Sequence, residues 1–138
     1  MPHSNYAVQQ IYLEIKDGSG TFPGTLYAAL FTTAPGLDGS GGTEIDAGTY
    51  TWYERKAVTW ASPSLAGRTM ANSAAVTFTS AATPVPSPLT VTHMGLMTAS
   101  TSGNLWRLLQ LTTPISIGLN SKVEFPIGQI VIEQKTTG

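Results

Sequence analysis

The stretch 25–60 reads TLYAALFTTAPGLDGSGGTEIDAGTYTWYERKAVTW, and its punctuation decides the fold class. Residues 25–33 are apolar, aromatic and threonine-rich, which predicts a strand. Ala34-Pro35-Gly36 ends it, because proline has no N–H to extend a ladder. Residues 37–48 form a glycine-rich loop too poor in apolar side chains to pack a core. A second strand is expected over 50–60, with Lys56, Val58 and Trp60 on one face and Arg55, Ala57 and Thr59 on the other.

Working outward, 4–16 predicts a helix. Val8, Ile11, Tyr12 and Ile15 fall at offsets 0, 3, 4 and 7 and mark one apolar face, which either packs over the sandwich or contacts a neighbouring chain. Ser4 caps the start, and Asp17-Gly18 with Gly20 stops it. Downstream, 75–79 predicts a strand with Val76 and Phe78 inward, and 81–88 an extended proline-rich connector. A strand over 89–99 places Leu89, Val91, His93, Gly95 and Met97 on one face. A turn at Gly103-Asn104 precedes strands over 105–112, 114–117, 122–125 and 129–133. About eight short strands at regular spacing, without repeats, predict an all-β fold: one domain over 1–138, a jelly-roll-like β-sandwich over about 25–133 with its helix at about 4–16.

Composition agrees with that class. Only 11% of residues are charged, whereas 20 threonines and 12 serines carry the polarity, and threonine favours strands. The net charge of −1 and seven scattered Lys and Arg give no electrostatic footprint for direct nucleic-acid binding. There is no cysteine, so disulfides and thiolate metal sites are excluded. No apolar run is long enough for a membrane helix, and the first ten residues lack the regions of a signal peptide. The expectation is a soluble protein made in a cytoplasm.

Candidate chemistry is sparse. Asp38, Glu44 and Asp46 lie in the glycine-rich loop, but their spacing does not fit a calcium loop and reads as solvated. His3 and His93 are too few for a zinc site, and His93 is placed in the sheet as a hydrogen-bonded residue. No G-x-S-x-G elbow or phosphate-cradling glycine motif is present, so no catalytic, cofactor or metal residue is assigned. Among the tryptophans, Trp60 is expected in the core. Trp52 and Trp106 are expected to be partly exposed and to serve as a partner contact or a sugar-stacking platform.

The order of motifs resembles a group of small bacteriophage virion proteins, described as tail-fibre-like or as capsid decoration proteins. The pieces that carry it are SNYAVQQIYLEI at 4–15, the stretch 25–63 and NSAAVTFTSA at 72–81. LTVTHMGLMTASTSGNLWRLLQL at 89–111 and ISIG with KVEFPIGQIVI at 115–132 complete them. The chain departs from the pattern at Tyr50-Thr-Trp-Tyr-Glu-Arg55, where two extra residues precede the arginine. The resemblance implies a structural protein and brings no catalytic residues. The leading expectation is a capsid cement protein on the major capsid protein, self-associated as a trimer; the alternatives are a tail-fibre or minor tail protein and a carbohydrate-binding module.

Overall fold

β1 (Leu26–Thr33) is the axis of the largest sheet, and its side chains are buried on both faces. The computed structural model describes residues 3–80 and 88–133. In chain order the other elements are α1 (Asn5–Asp17), β2 (Thr43–Glu44), β3 (Lys56–Val58), β4 (Thr69–Ala71) and β5 (Val76–Thr79). β6 (Leu89–Met97), β7 (Leu105–Ile117), β8 (Lys122–Phe125) and β9 (Val131–Glu133) follow. β1 pairs antiparallel with β6, and β6 with β7. On its other edge β1 takes β3 at one end and β2 at the other. Two ribbons, β5–β8 and β4–β9, complete the ladders among the described residues. The all-β class with one N-terminal helix therefore holds, with its strands arranged as one five-stranded sheet and two ribbons.

Alternation along β1 divides the interior in two. Leu26, Ala28 and Leu30 face the main core with Val58, Val76, Phe78, Met94, Leu96 and Ile130. Ala29 and Phe31 point the other way, onto Met97 and Leu105. Gly95 is needed there: a Cβ at that position would stand 2.8 Å from the Phe31 ring and 3.1 Å from Leu105. Val76 and Phe78 are inward as their alternation predicts.

Several expectations change. The 50–60 strand shrinks to β3, because Asp46 turns the chain instead. Its Oδ1 accepts the Gly48 N–H at 2.9 Å and its Oδ2 the Thr49 hydroxyl at 2.8 Å, while its carbonyl accepts the Tyr50 N–H. Such short-range bonds compete directly with a ladder. The 37–48 loop is not free of core residues, since Ile45 is buried at its end. The predicted single face of 89–99 breaks between Val91 and His93, where the register slips against β7 from Ile115 to Gln110. Val91 and Met94 then share the core side. The two segments 105–112 and 114–117 are one strand, β7. Pro114 is tolerated within it because β7 lies at the sheet's edge. β4 was not expected at all, and the connector apart from Pro88 lies outside the described residues.

The helix forms where predicted but presents the other face. Ser4 caps it by accepting the Ala7 N–H, and Gly18 at φ 74° closes it with a bond to the Glu14 carbonyl. Its buried positions are Ala7 and Gln10, packed against the start of β7. The chain then doubles back: the Thr21 N–H reaches the Gln10 side-chain oxygen at 2.8 Å, and Gly20 lies against the Gln10 carbonyl with no room for a Cβ. Tyr12 and Ile15, on the predicted apolar face, are 67% and 77% exposed, so of its two readings the one that packs this face over the sandwich fails at these positions.

Candidate functional site

The densest polar cluster lies where β1 changes partner. Between β3 and β2 the β1 edge leaves Leu30 without a strand neighbour. Its carbonyl accepts the Ile45 N–H at 3.1 Å, and its N–H donates to the Tyr53 hydroxyl at 3.0 Å. Tyr53 in turn donates to Glu44 Oε1 at 2.6 Å. Burial, reinforced by the hydrogen bond to Glu44 and by its charge, pushes the phenol's pKa far above its ordinary value, so it remains a neutral donor.

Arg55 closes the cluster. Its Nε donates to Glu44 Oε1 and its Nη2 to Oε2, both at 2.8 Å, a bidentate pair. Its Nη1 donates to the carbonyls of Ala99 at 2.9 Å and Ser102 at 2.6 Å. One guanidinium therefore ties the β2–β3 loop to the tip of the β6–β7 hairpin. That tip is tightly wound, with Ser102 and Gly103 both at positive φ.

Above this cluster lies an open depression of about 430 Å³, lined by Glu44, Asp46, Tyr53, Glu54, Arg55 and the Ser100–Ser102 turn among others. Its carboxylates are already engaged. Glu44 serves Tyr53 and Arg55, Asp46 serves Gly48 and Thr49, and Glu54 accepts from Lys56 at 2.5 Å. Hydrogen bonds from the Gly48 backbone and Thr49 hold Asp46 below the usual carboxylate range, and the Lys56 bond does the same for Glu54. The arrangement stiffens two loops and offers hydroxyl and carboxylate oxygens at a surface. It does not assemble a nucleophile with a base.

The other candidates disperse. Asp38 accepts from the Ser40 N–H and hydroxyl, an ordinary Asx turn. His93 meets Thr92 Oγ1 at 2.9 Å through Nδ1, as a half-buried sheet residue, and His3 lies beside Arg107. Among the described residues no group of three His, Cys, Asp or Glu could hold a metal.

The expected exposure of Trp106 is overturned. It is 7% exposed in the main core, because Tyr6 of α1 and Phe22 of the returning segment both meet its ring edge-on. Trp52 is half-buried, edge-on to Tyr53, and its Nε1–H is buried with no hydrogen-bond partner among the described residues. Trp60 is half-buried against the core. Trp106 therefore offers no open face for stacking, while Trp52 keeps part of its surface exposed. The exposed large apolar side chains are Tyr12, Ile15, Phe22, Leu65, Leu119 and Ile127, with Leu37 and Val131 less so. Sequence reasoning read Glu44 as a solvated loop carboxylate and did not join it to Tyr53 and Arg55. The one signal was the anomalous run 50–55, which supplies two of the cluster's three side chains.

A family model described as podophage GP4 fiber I protein gp80 matches residues 2–133. No curated protein matches the chain.

Proposed function

This chain belongs to the podophage GP4 fiber I protein gp80 family, and from that premise we propose that it serves as a fibre component of the phage tail. As a virion structural protein it works through contacts with other virion proteins. The family description carries the proposal, and it favours the fibre over the capsid-cement role that the sequence put first. The physical arrangement is consistent with it: the best-formed polar cluster is spent on bracing loops, and among the described residues eight large apolar side chains stand at the surface. We read the protein as non-enzymatic on the same grounds. With Trp106 buried, the sugar-stacking alternative rests on the half-buried Trp52 alone.

Copy number separates the two virion roles. Quantified against the major capsid protein in purified particles, a tail fibre is expected at a small fraction of the capsid copies, with label concentrated at the tail. A ratio near one to one, or one to a few, spread over the shell would overturn the fibre reading and restore the cement.

We further propose that the protein associates as a trimer. Closed rings avoid unlimited assembly, and the low charge of the chain gives little self-repulsion. Light scattering on the purified protein is expected to give three times the 14.5 kDa chain mass. A monomer mass sustained at high concentration would remove self-association from the proposal.

As far as helices go, none among the described residues is long and apolar enough to cross a membrane.

A further inference from the structure

We propose that His3 and Arg107 form a proton-operated latch that holds the segment ahead of α1 on the outer edge of β7. The segment is attached by a few identifiable bonds. His3 faces Arg107 in an antiparallel bridge, and the Ser4 N–H donates to the Trp106 carbonyl at 2.9 Å. The Ser4 hydroxyl donates to the Leu105 carbonyl while accepting the Ala7 N–H at 3.1 Å. Residues 3 and 4 thus cover the beginning of an edge strand, and the same serine starts the helix.

The side-chain contact in the bridge works in one protonation state only. Arg107 is 3% exposed, and its Nη2 stands 2.6 Å from His3 Nε2. A guanidinium is always charged and only donates. His3 Nε2 must therefore accept, which requires a neutral imidazole carrying its proton on Nδ1. A proton on Nε2 removes the lone pair, sets two donors against each other and places a second positive charge beside a buried one.

The neighbouring charges act mostly in the same direction. Burial first, then the Arg107 charge, hold the His3 imidazole below its ordinary pKa. The start of α1 adds the positive end of a helix dipole, with no acidic residue in its first turn. The returning segment offers Phe22 to Trp106, and β6 offers Leu96 opposite Arg107, both uncharged. The loop whose Leu37 carbonyl takes the Asn5 N–H carries Asp38, the one acidic group there, and its carboxylate is occupied by Ser40. The attached segment binds fewer protons than the released one, so attachment strengthens as pH rises. It is complete above the ordinary histidine value of about 6.5 and is lost as pH falls below it. Release bares the Leu105–Trp106 edge, a template for pairing with a strand of another chain.

The test is amide hydrogen exchange on the full chain at about pH 7.5 and about pH 5, on either side of the free histidine value, with rates expressed as protection factors. The Ser4 amide is expected to lose at least ~10-fold protection at the lower pH, while the Leu30 amide, deep in β1, keeps its own. In His3→Gln the side-chain oxygen still accepts and does not titrate, so Ser4 protection is expected to be equal at both pH values. In His3→Lys it is expected to be low at both. In His93→Gln the wild-type transition is expected to persist. Unchanged Ser4 protection in the wild type, a His3→Gln variant that loses protection as the wild type does, or a transition abolished by His93→Gln would each overturn the latch.

Discussion

Replacing Phe78 with alanine is expected to remove about 4 kcal/mol of folding stability, the middle of the range for deleting a buried aromatic ring. Phe78 is 2% exposed and is the largest of the fully buried side chains. It belongs to β5, whose ribbon partner in β8 places Val123 opposite it. Its ring lies nearly parallel to that of Tyr53, with centroids 6.0 Å apart and planes 13° from each other. Truncation leaves a ring-sized cavity between the β5–β8 ribbon and the large sheet, and it withdraws the surface against which Tyr53 is held. That second effect reaches β1, because Tyr53 supplies the hydrogen bond to the Leu30 N–H. Natural domains of this size are stable by about 5–15 kcal/mol, so the variant is expected to retain only part of its folding free energy. Urea unfolding measures it: the midpoint should fall with the slope unchanged. A loss below about 0.5 kcal/mol, the scale of an ordinary surface substitution, would show that Phe78 does not join the ribbon to the sheet.

What was legible in the sequence follows from how local each determinant is. β1 was legible because it is buried on both faces, so its nine-residue apolar and threonine run has no competing reading. The ends of α1 were legible because Ser4 and Gly18 act within one turn of themselves. The face of α1 was not. A stripe of Val8, Ile11, Tyr12 and Ile15 states that the helix is amphipathic, but not what lies against it. Here the small Ala7 lets the helix approach β7, and Gln10 is occupied by the returning Thr21, which turns the stripe outward. The strand predicted over 50–60 yielded to Asp46, four residues upstream of the segment it reshaped. β4 was missed because three residues beside the tight turn at Gly67 and Arg68 give no period to read, and its partner β9 lies some sixty residues away.

The candidate site was less legible than the fold. Glu44, Tyr53 and Arg55 become neighbours only because the β2–β3 loop folds into the gap beside Leu30. Neither their spacing nor their types mark them before that contact exists. Trp106 was misplaced for a related reason. β7 is an edge strand, which favours exposure, but α1 and Phe22 cover its first residues from the far end of the sequence.

Replacing Arg55 with methionine is expected to cost about 3 kcal/mol, the low end of the range for breaking a buried ion pair by removing one partner. The low end applies because the Glu44 side chain is still 24% exposed, so water can reach the abandoned carboxylate, whereas that of Arg55 is only 9% exposed. Methionine keeps the aliphatic bulk of the stem, so the loss reports the guanidinium and its four hydrogen bonds. Two consequences separate this bracing role from a generic surface charge. The Ala99 and Ser102 carbonyls lose their donor, so the β6–β7 turn should gain hydrogen exchange at 98–104 well before global unfolding. Replacing Glu44 with glutamine should cost less, because its amide still offers one carbonyl oxygen to Tyr53 and Arg55. In the double variant the two losses should fall short of additivity by about 1–3 kcal/mol, since the second substitution removes a group already stranded by the first. Strict additivity in that cycle, or exchange at the turn indistinguishable from wild type, would mean that Arg55 and Glu44 do not brace these loops together.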